Sequence, residues 1–101
     1  MSIQDKIKQQ VCENHIVLYM KGNAELPMCG FSARAVNILK SCHAQFVTID
    51  VLQDEEIRQG IKVFSNWPTI PQLYINGEFI GGSDIMTEMY EAGELQELLK
   101  Q

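Results

Sequence analysis

Cys29 is the residue whose surroundings most favour chemistry, because it stands just ahead of a segment, Phe31 to Lys40, whose apolar residues recur at helical spacing. A cysteine at a helix N-terminus meets unpaired backbone N–H groups and the positive end of the helix dipole. Both favour the thiolate, the form that attacks disulfides and binds metals. Three residues on stands Ser32, where a Cys-x-x-Cys redox motif carries its second thiol. The chain thus has no local resolving cysteine, and Cys29 must borrow another sulfur: from glutathione, a partner protein, a second copy of the chain or an iron-sulfur cluster. The competing reading is a small apolar residue that fills the start of the helix.

Other residues could build a site around it. Lys21 ends an apolar run and is one cation near the thiolate, able to favour its charge or hold a carboxylate; it is equally an exposed lysine at a strand end. Arg58 and Lys62 stand four apart, so one helical face could turn both toward the same pocket or toward solvent. Thr69-Ile70-Pro71 precedes a strand, and its backbone could pair with an extended peptide. In Gly81-Gly82-Ser83-Asp84 the N–H groups could cradle a carboxylate while Asp84 takes an ammonium; a glycine turn followed by a helix cap explains the same residues. Cys42 fails as a resolving thiol, because thirteen residues of mostly helix set it ~20 Å from Cys29, and a disulfide needs Cα atoms within about 7 Å. His15 and His43 share no metal-ligand spacing with a cysteine, so zinc is unsupported.

The elements that must position these residues follow from periodicity. Ile3, Ile7 and Val11 step by four, which predicts an amphipathic helix over Ser2 to Cys12 with Cys12 on its buried stripe. His15 to Met20 is a short apolar run, as in a central strand covered on both faces. The loop Asn23 to Pro27 delivers Cys29, and a helix from Gly30 is expected to bury Phe31, Ala35, Val36, Leu39 and Cys42. Phe46 to Val51 alternates as a strand, completing a β-α-β unit whose right-handed crossover makes the strands parallel. Asp54 is a plausible N-cap for a helix burying Ile57, Ile61 and Phe64, although Gly60 in its middle weakens it by roughly 1 kcal/mol. Gln72 to Ile75, Asn76-Gly77, then Glu78 to Ile80 read as a hairpin with a type I′ turn. Ser83 or Asp84 could cap a last helix, which Gly93 interrupts before Leu95, Leu98 and Leu99. The expected fold is α/β, a four-stranded mixed sheet with helices on both faces. Ligands in such sheets gather beyond the carboxyl ends of the parallel strands, the edge to which Lys21 and Cys29 belong.

With 101 residues the chain is expected to form one domain, and its ordinary hydrophobic and charged fractions argue against disorder. No run reaches the ~18 apolar residues of a membrane span, and the polar start carries no signal-peptide core, so a cytoplasmic protein is expected. Three cysteines in a reducing compartment read as free thiols or ligands. A net charge of −5 with scattered lysines and arginines leaves no field for nucleic acid.

Together, Met20-Lys21-Gly22, Cys29-Gly30-Phe31-Ser32, Trp67-Pro68-Thr69-Ile70-Pro71-Gln72 and Gly77 to Ile85 resemble the monothiol glutaredoxins of the Cys-Gly-Phe-Ser class, over nearly the whole chain. The resemblance implies the thioredoxin fold and a glutathione site in which Cys29 is the reactive thiolate and Phe31 belongs to the binding motif. It also implies that Lys21 and Arg58 hold carboxylates, that Thr69 and Ile70 offer backbone beside a cis Pro71, and that Ser83 and Asp84 grip the γ-glutamyl end. It further implies a [2Fe-2S] cluster bound through Cys29 between two subunits of a homodimer, passed to iron-sulfur recipient proteins, often with a BolA-type partner. One departure stands out: Ser83 occupies a position where the family usually has cysteine. A glutathione-dependent monothiol oxidoreductase is the alternative activity, and an interaction module without chemistry is a third.

Overall fold

A computed structural model of the chain describes residues 2–100. Helix α1 (Ile3–Glu13) starts at Ser2, whose hydroxyl accepts the Asp5 N–H at 3.1 Å, meeting one of the donors that a first turn leaves unpaired. Ile7 and Val11 are buried, but Cys12 is exposed, against expectation. Successive helical residues are turned by about 100°, so a stripe through positions 3, 7 and 11 carries position 12 off the buried face.

Strand β1 (Ile16–Met20) is buried at every position. It pairs in parallel with β2 (Val47–Asp50) and antiparallel with β3 (Gln72–Ile75), and β4 (Glu78–Gly81) completes the order β2-β1-β3-β4. Alternation along β1 divides its side chains between two cores. Ile16, Leu18 and Met20 pack with residues of α2 (Gly30–Ser41), α4 (Ser83–Glu91) and α5 (Glu94–Leu99). Val17 and Tyr19 pack with α1 and α3 (Glu55–Ser65). Covering both faces removes the need for polar alternation, which is why this strand reads as an unbroken apolar run. The expected four-stranded mixed sheet with helices on both faces is therefore present.

The strands are shorter than their apolar runs. β1 begins at Ile16 rather than His15, and β2 stops at Asp50 because Val51–Gln53 forms a short 3-10 helix capped by the Asp50 carboxylate, which accepts the Leu52 N–H at 2.9 Å. In the hairpin turn Asn76 and Gly77 both have positive φ, 52° and 81°, as a type I′ turn requires. Asp54 caps α3 by accepting from Glu56 and Ile57 N–H. Gly60 has a packing reason: a Cβ there would lie 3.1 Å from Ile3 Cγ1 and from Ile7 Cδ1, so the glycine lets α1 approach α3 closely. Neither Ser83 nor Asp84 caps α4. Gly82 holds the N-cap position without a side-chain bond, and both residues fall inside the first turn.

Candidate functional site

Cys29 is the N-cap residue of α2, extended at φ −156° and ψ 154°, and its Sγ accepts the Ser32 N–H at 3.4 Å. Ser32 is fully buried beneath it. Its Oγ accepts the Lys21 N–H at 3.1 Å and lies 3.4 Å from Cys29 Sγ. With its oxygen engaged by Lys21, the hydroxyl has its own hydrogen free for a thiolate; when the sulfur is protonated, the thiol donates instead. Burial of Cys29 works against the charged form. The Ser32 hydroxyl, the Ser32 and Phe31 N–H groups and the Lys21 charge outweigh it and hold the thiol below its ordinary range.

The loop before Cys29 is fixed by the end of β1. Gly22 adopts φ 87°, its N–H donates to Asp50 Oδ1 at 2.9 Å, and it bridges to Pro27. Met28 N–H then donates to Lys21 O at 2.8 Å, while Asn23 Oδ1 accepts from Glu25 and Leu26 inside the loop. The chain leaves β1 and returns to it before presenting the cysteine. Leu26, Met28 and Phe31 are left exposed around it. Phe31 is thus not buried by α2 as its spacing implied; in the first turn it lines a cavity instead of the core.

That cavity, of about 400 Å³, gathers residues from five parts of the chain. Lys21 comes from the end of β1, Phe31 from α2, Arg58 and Lys62 from α3, Thr69, Ile70 and Pro71 from the segment before β3, and Ser83 and Asp84 from the start of α4. The Ile70–Pro71 peptide bond is cis. Every residue singled out from the sequence as a ligand contact lines it except Cys29, which stands at its border next to Lys21 and Phe31. Gly82, part of the backbone cradle expected for a carboxylate, lines it as well, and so do Trp67, Pro68 and Ile85, which were given no ligand role. Trp67 carried a signal: it is a large aromatic in a proline-broken segment that cannot join the core, and its ring rests 5.8 Å from that of Phe79.

The charges here are little engaged with one another. Among the described residues Arg58 has one ion pair, to Glu55 at 3.9 Å, and Lys21, Lys62 and Asp84 have none. Arg58 Nε is buried without a hydrogen-bond partner. The other thiols lie elsewhere. Cys12 is exposed on α1, and Cys42 is the C-cap residue at the far end of α2, where burial pushes its thiol up. No group of three or more His, Cys, Asp or Glu side chains among the described residues could hold a metal ion.

The glutaredoxin family model matches residues 16–80, from the start of β1 to within β4. The chain belongs to the glutaredoxin family. It is 58% identical over 95 residues to an uncharacterized monothiol glutaredoxin, ycf64-like, of Synechocystis, covering 94% of this chain and 89% of that protein. It is 52% identical over 97 residues to Glutaredoxin 4 of Escherichia coli K12, covering 96% and 84%. A crystal structure of a buckwheat glutaredoxin–glutathione complex matches with a TM-score of 0.86 at 26% identity, over 97% of this chain and 87% of that one. The sheet and its helices are therefore the thioredoxin fold of the glutaredoxins, and with Ser32 where a second thiol would stand this is a monothiol member. No helix among the described residues is long and apolar enough to cross a membrane.

Proposed function

We propose that the chain binds glutathione in the cavity beside Cys29 and that two copies hold a [2Fe-2S] cluster as cargo, for assembly into or transfer to recipient proteins. The observation that carries this reading is a thiolate-favouring cysteine with no second thiol in reach, bordering a cavity with unpaired cations and one unpaired carboxylate. Glutathione supplies the complement: two carboxylates, one ammonium and a thiol. Lys21 and Arg58 hold carboxylate, Asp84 and Ser83 take the γ-glutamyl end, Thr69 and Ile70 lie along the peptide beside Pro71, and Phe31 covers it. The buckwheat relative, solved with glutathione, supports the ligand class.

A [2Fe-2S] cluster takes four ligands, and this site offers Cys29 alone. Two chains with one glutathione thiol each complete the set, which fits a homodimer that exists while the cluster is bound. A BolA-type partner and recipient proteins belong to the same reading, as does a cytoplasmic setting. Anaerobic reconstitution with iron, sulfide and glutathione tests it: about one cluster per two chains is expected, abolished by Cys29→Ser or by leaving out glutathione, and retained by Cys12→Ser and Cys42→Ser. A stable cluster on Cys29→Ser, or on the unaltered chain without added thiol, overturns the coordination.

The favoured thiolate and its partial exposure also support a second reading, monothiol exchange. The Cys29 thiolate attacks the glutathione sulfur of a mixed disulfide and expels the protein thiolate; a second glutathione thiolate then attacks the Cys29–glutathione disulfide, releasing glutathione disulfide and restoring Cys29. Robust turnover of such a substrate, with no cluster on reconstitution, would favour this reading over the first.

A further inference from the structure

We propose that Gln72 is a positioning residue of the cavity, its buried amide holding the backbone of Trp67 and Thr69 in the orientation that receives a ligand. The inference rests on the glutathione reading above and adds to it a residue that does not itself line the cavity. Gln72 opens β3 and is fully buried. Alternation along the strand puts it on the same face as Tyr74, against the core that also holds Val17, Tyr19 and Ile70. An amide buried there costs stability unless its donors and its acceptor find partners. All of them do. Nε2 donates to Trp67 O at 3.2 Å and to Thr69 O at 3.1 Å, while Oε1 accepts the Tyr74 hydroxyl at 3.1 Å. Carbonyls only accept, so turning the amide over would set its oxygen against both of them, and the network fixes its orientation.

The anchor is rigid, and the segment it holds has few other ties. The Tyr74 ring packs edge-on against Tyr19, with centroids 5.6 Å apart, and against Phe64 and Phe79, so this end cannot move without repacking the core. Trp67 N–H donates to Lys62 O and to the Ser65 hydroxyl, which fixes where the segment leaves α3. Beyond that point Pro68 and Pro71 have no N–H to give. Among the described residues Thr69 and Ile70 make no backbone–backbone hydrogen bond outside the sheet. The two bonds from Gln72 therefore decide how the segment lies. Trp67 and Thr69, the residues they hold, both line the cavity. With Thr69 O drawn toward the core, the remaining backbone groups of Thr69 and Ile70 stay available to the peptide of a ligand. A segment ordered beforehand binds more tightly, because the ligand does not have to order it.

The chain has one tryptophan, so its fluorescence reports Trp67 alone. Gln72→Met keeps the length of the side chain and removes its hydrogen bonds. Time-resolved anisotropy of the ligand-free variant should show wider local motion of Trp67, and calorimetry should show glutathione bound about fivefold to tenfold more weakly, the scale of one or two lost neutral hydrogen bonds. Gln72→Glu, whose ionised carboxylate still accepts from Tyr74 but has no hydrogen for the two carbonyls, should change both in the same direction. Tyr19→Phe is the stability control, since it removes a different core hydroxyl, the one that donates to Gln10 Oε1 at 2.8 Å. Its Tm should fall while Trp67 motion and affinity match the unaltered chain. Unchanged affinity in both Gln72 variants, with or without a lowered Tm, assigns Gln72 to the core alone and overturns the inference. An affinity loss of the same size in Tyr19→Phe also overturns it. Failure of the unaltered chain to bind glutathione overturns the glutathione reading itself, and this inference with it.

Discussion

Ser32 Oγ lies 3.4 Å from Cys29 Sγ while accepting the Lys21 N–H, so one buried hydroxyl links the reactive sulfur to the end of β1. The position that would carry a resolving thiol in a two-cysteine motif here carries a donor to the thiolate. Because the Cys29 thiol is held below its ordinary range, more of it is ionised at neutral pH than in a free cysteine. Alkylation rate measured against pH should show a midpoint below that of a model thiol. Ser32→Ala removes one of the stabilising bonds and should shift the midpoint upward, slowing alkylation at pH 7 without affecting the maximal rate at alkaline pH. An unchanged midpoint in the variant would mean that the hydroxyl does not stabilise the thiolate.

Gly22 controls how the loop returns to the cysteine. Its φ of 87° is in the left-handed region, and a Cβ would collide with Leu26 O and come within 2.7 Å of Met28 Cγ and 2.8 Å of Met28 N. Two of those atoms are backbone and cannot yield cheaply. Gly22→Ala should therefore cost about 1–3 kcal/mol in urea unfolding and also alter Cys29 alkylation, since the displaced segment carries the sulfur. Gly30→Ala is the comparison: a Cβ there meets nothing within 4 Å, and stability should stay within about 0.5 kcal/mol. Equal effects at the two glycines would contradict the loop geometry.

How much of this was legible in the sequence depends on whether local spacing or long-range approach decides a residue's surroundings. The β1 run, the Asn76-Gly77 turn and the Asp54 cap are local signals, and each element formed where they pointed. Cys12 and Phe31 are exposed although their spacing predicts burial, because apolar character alone does not decide which face of a helix is covered. One lies a single step off its stripe, and the other lies in a first turn that faces a cavity instead of the core. Gly60 looked like a weakness in α3 because only the tertiary structure brings Ile3 and Ile7 against it. For the site, the individual residues were legible but their convergence was not. Nothing in the spacing alone brings Arg58 to Asp84, whereas the sheet order does, by carrying β1, the segment before β3 and the start of α4 to one edge. Ser32 was legible only as a missing thiol, since its bond to Lys21 spans eleven residues.

Asp84 has two explanations whose consequences can be separated. It is exposed in the first turn of α4, where a carboxylate complements the helix dipole by about 0.3–1 kcal/mol whatever the site does. It is also the one carboxylate lining a cavity that otherwise gathers cations, and no lysine or arginine among the described residues pairs with it. A solely structural Asp84 predicts that Asp84→Asn lowers Tm slightly and leaves ligand affinity alone. If Asp84 instead receives the γ-glutamyl ammonium, Asp84→Asn should weaken glutathione roughly threefold to tenfold, the range for losing one charge-assisted bond at a partly wet site. The same substitution should not weaken a glutathione analogue in which hydrogen replaces the amino group, and should improve its binding if anything, because the carboxylate then opposes an anionic ligand without compensation. Calorimetry with the two ligands and the two proteins completes the cycle. Parallel losses for glutathione and the deaminated analogue would place the ammonium elsewhere and leave Asp84 to its helix.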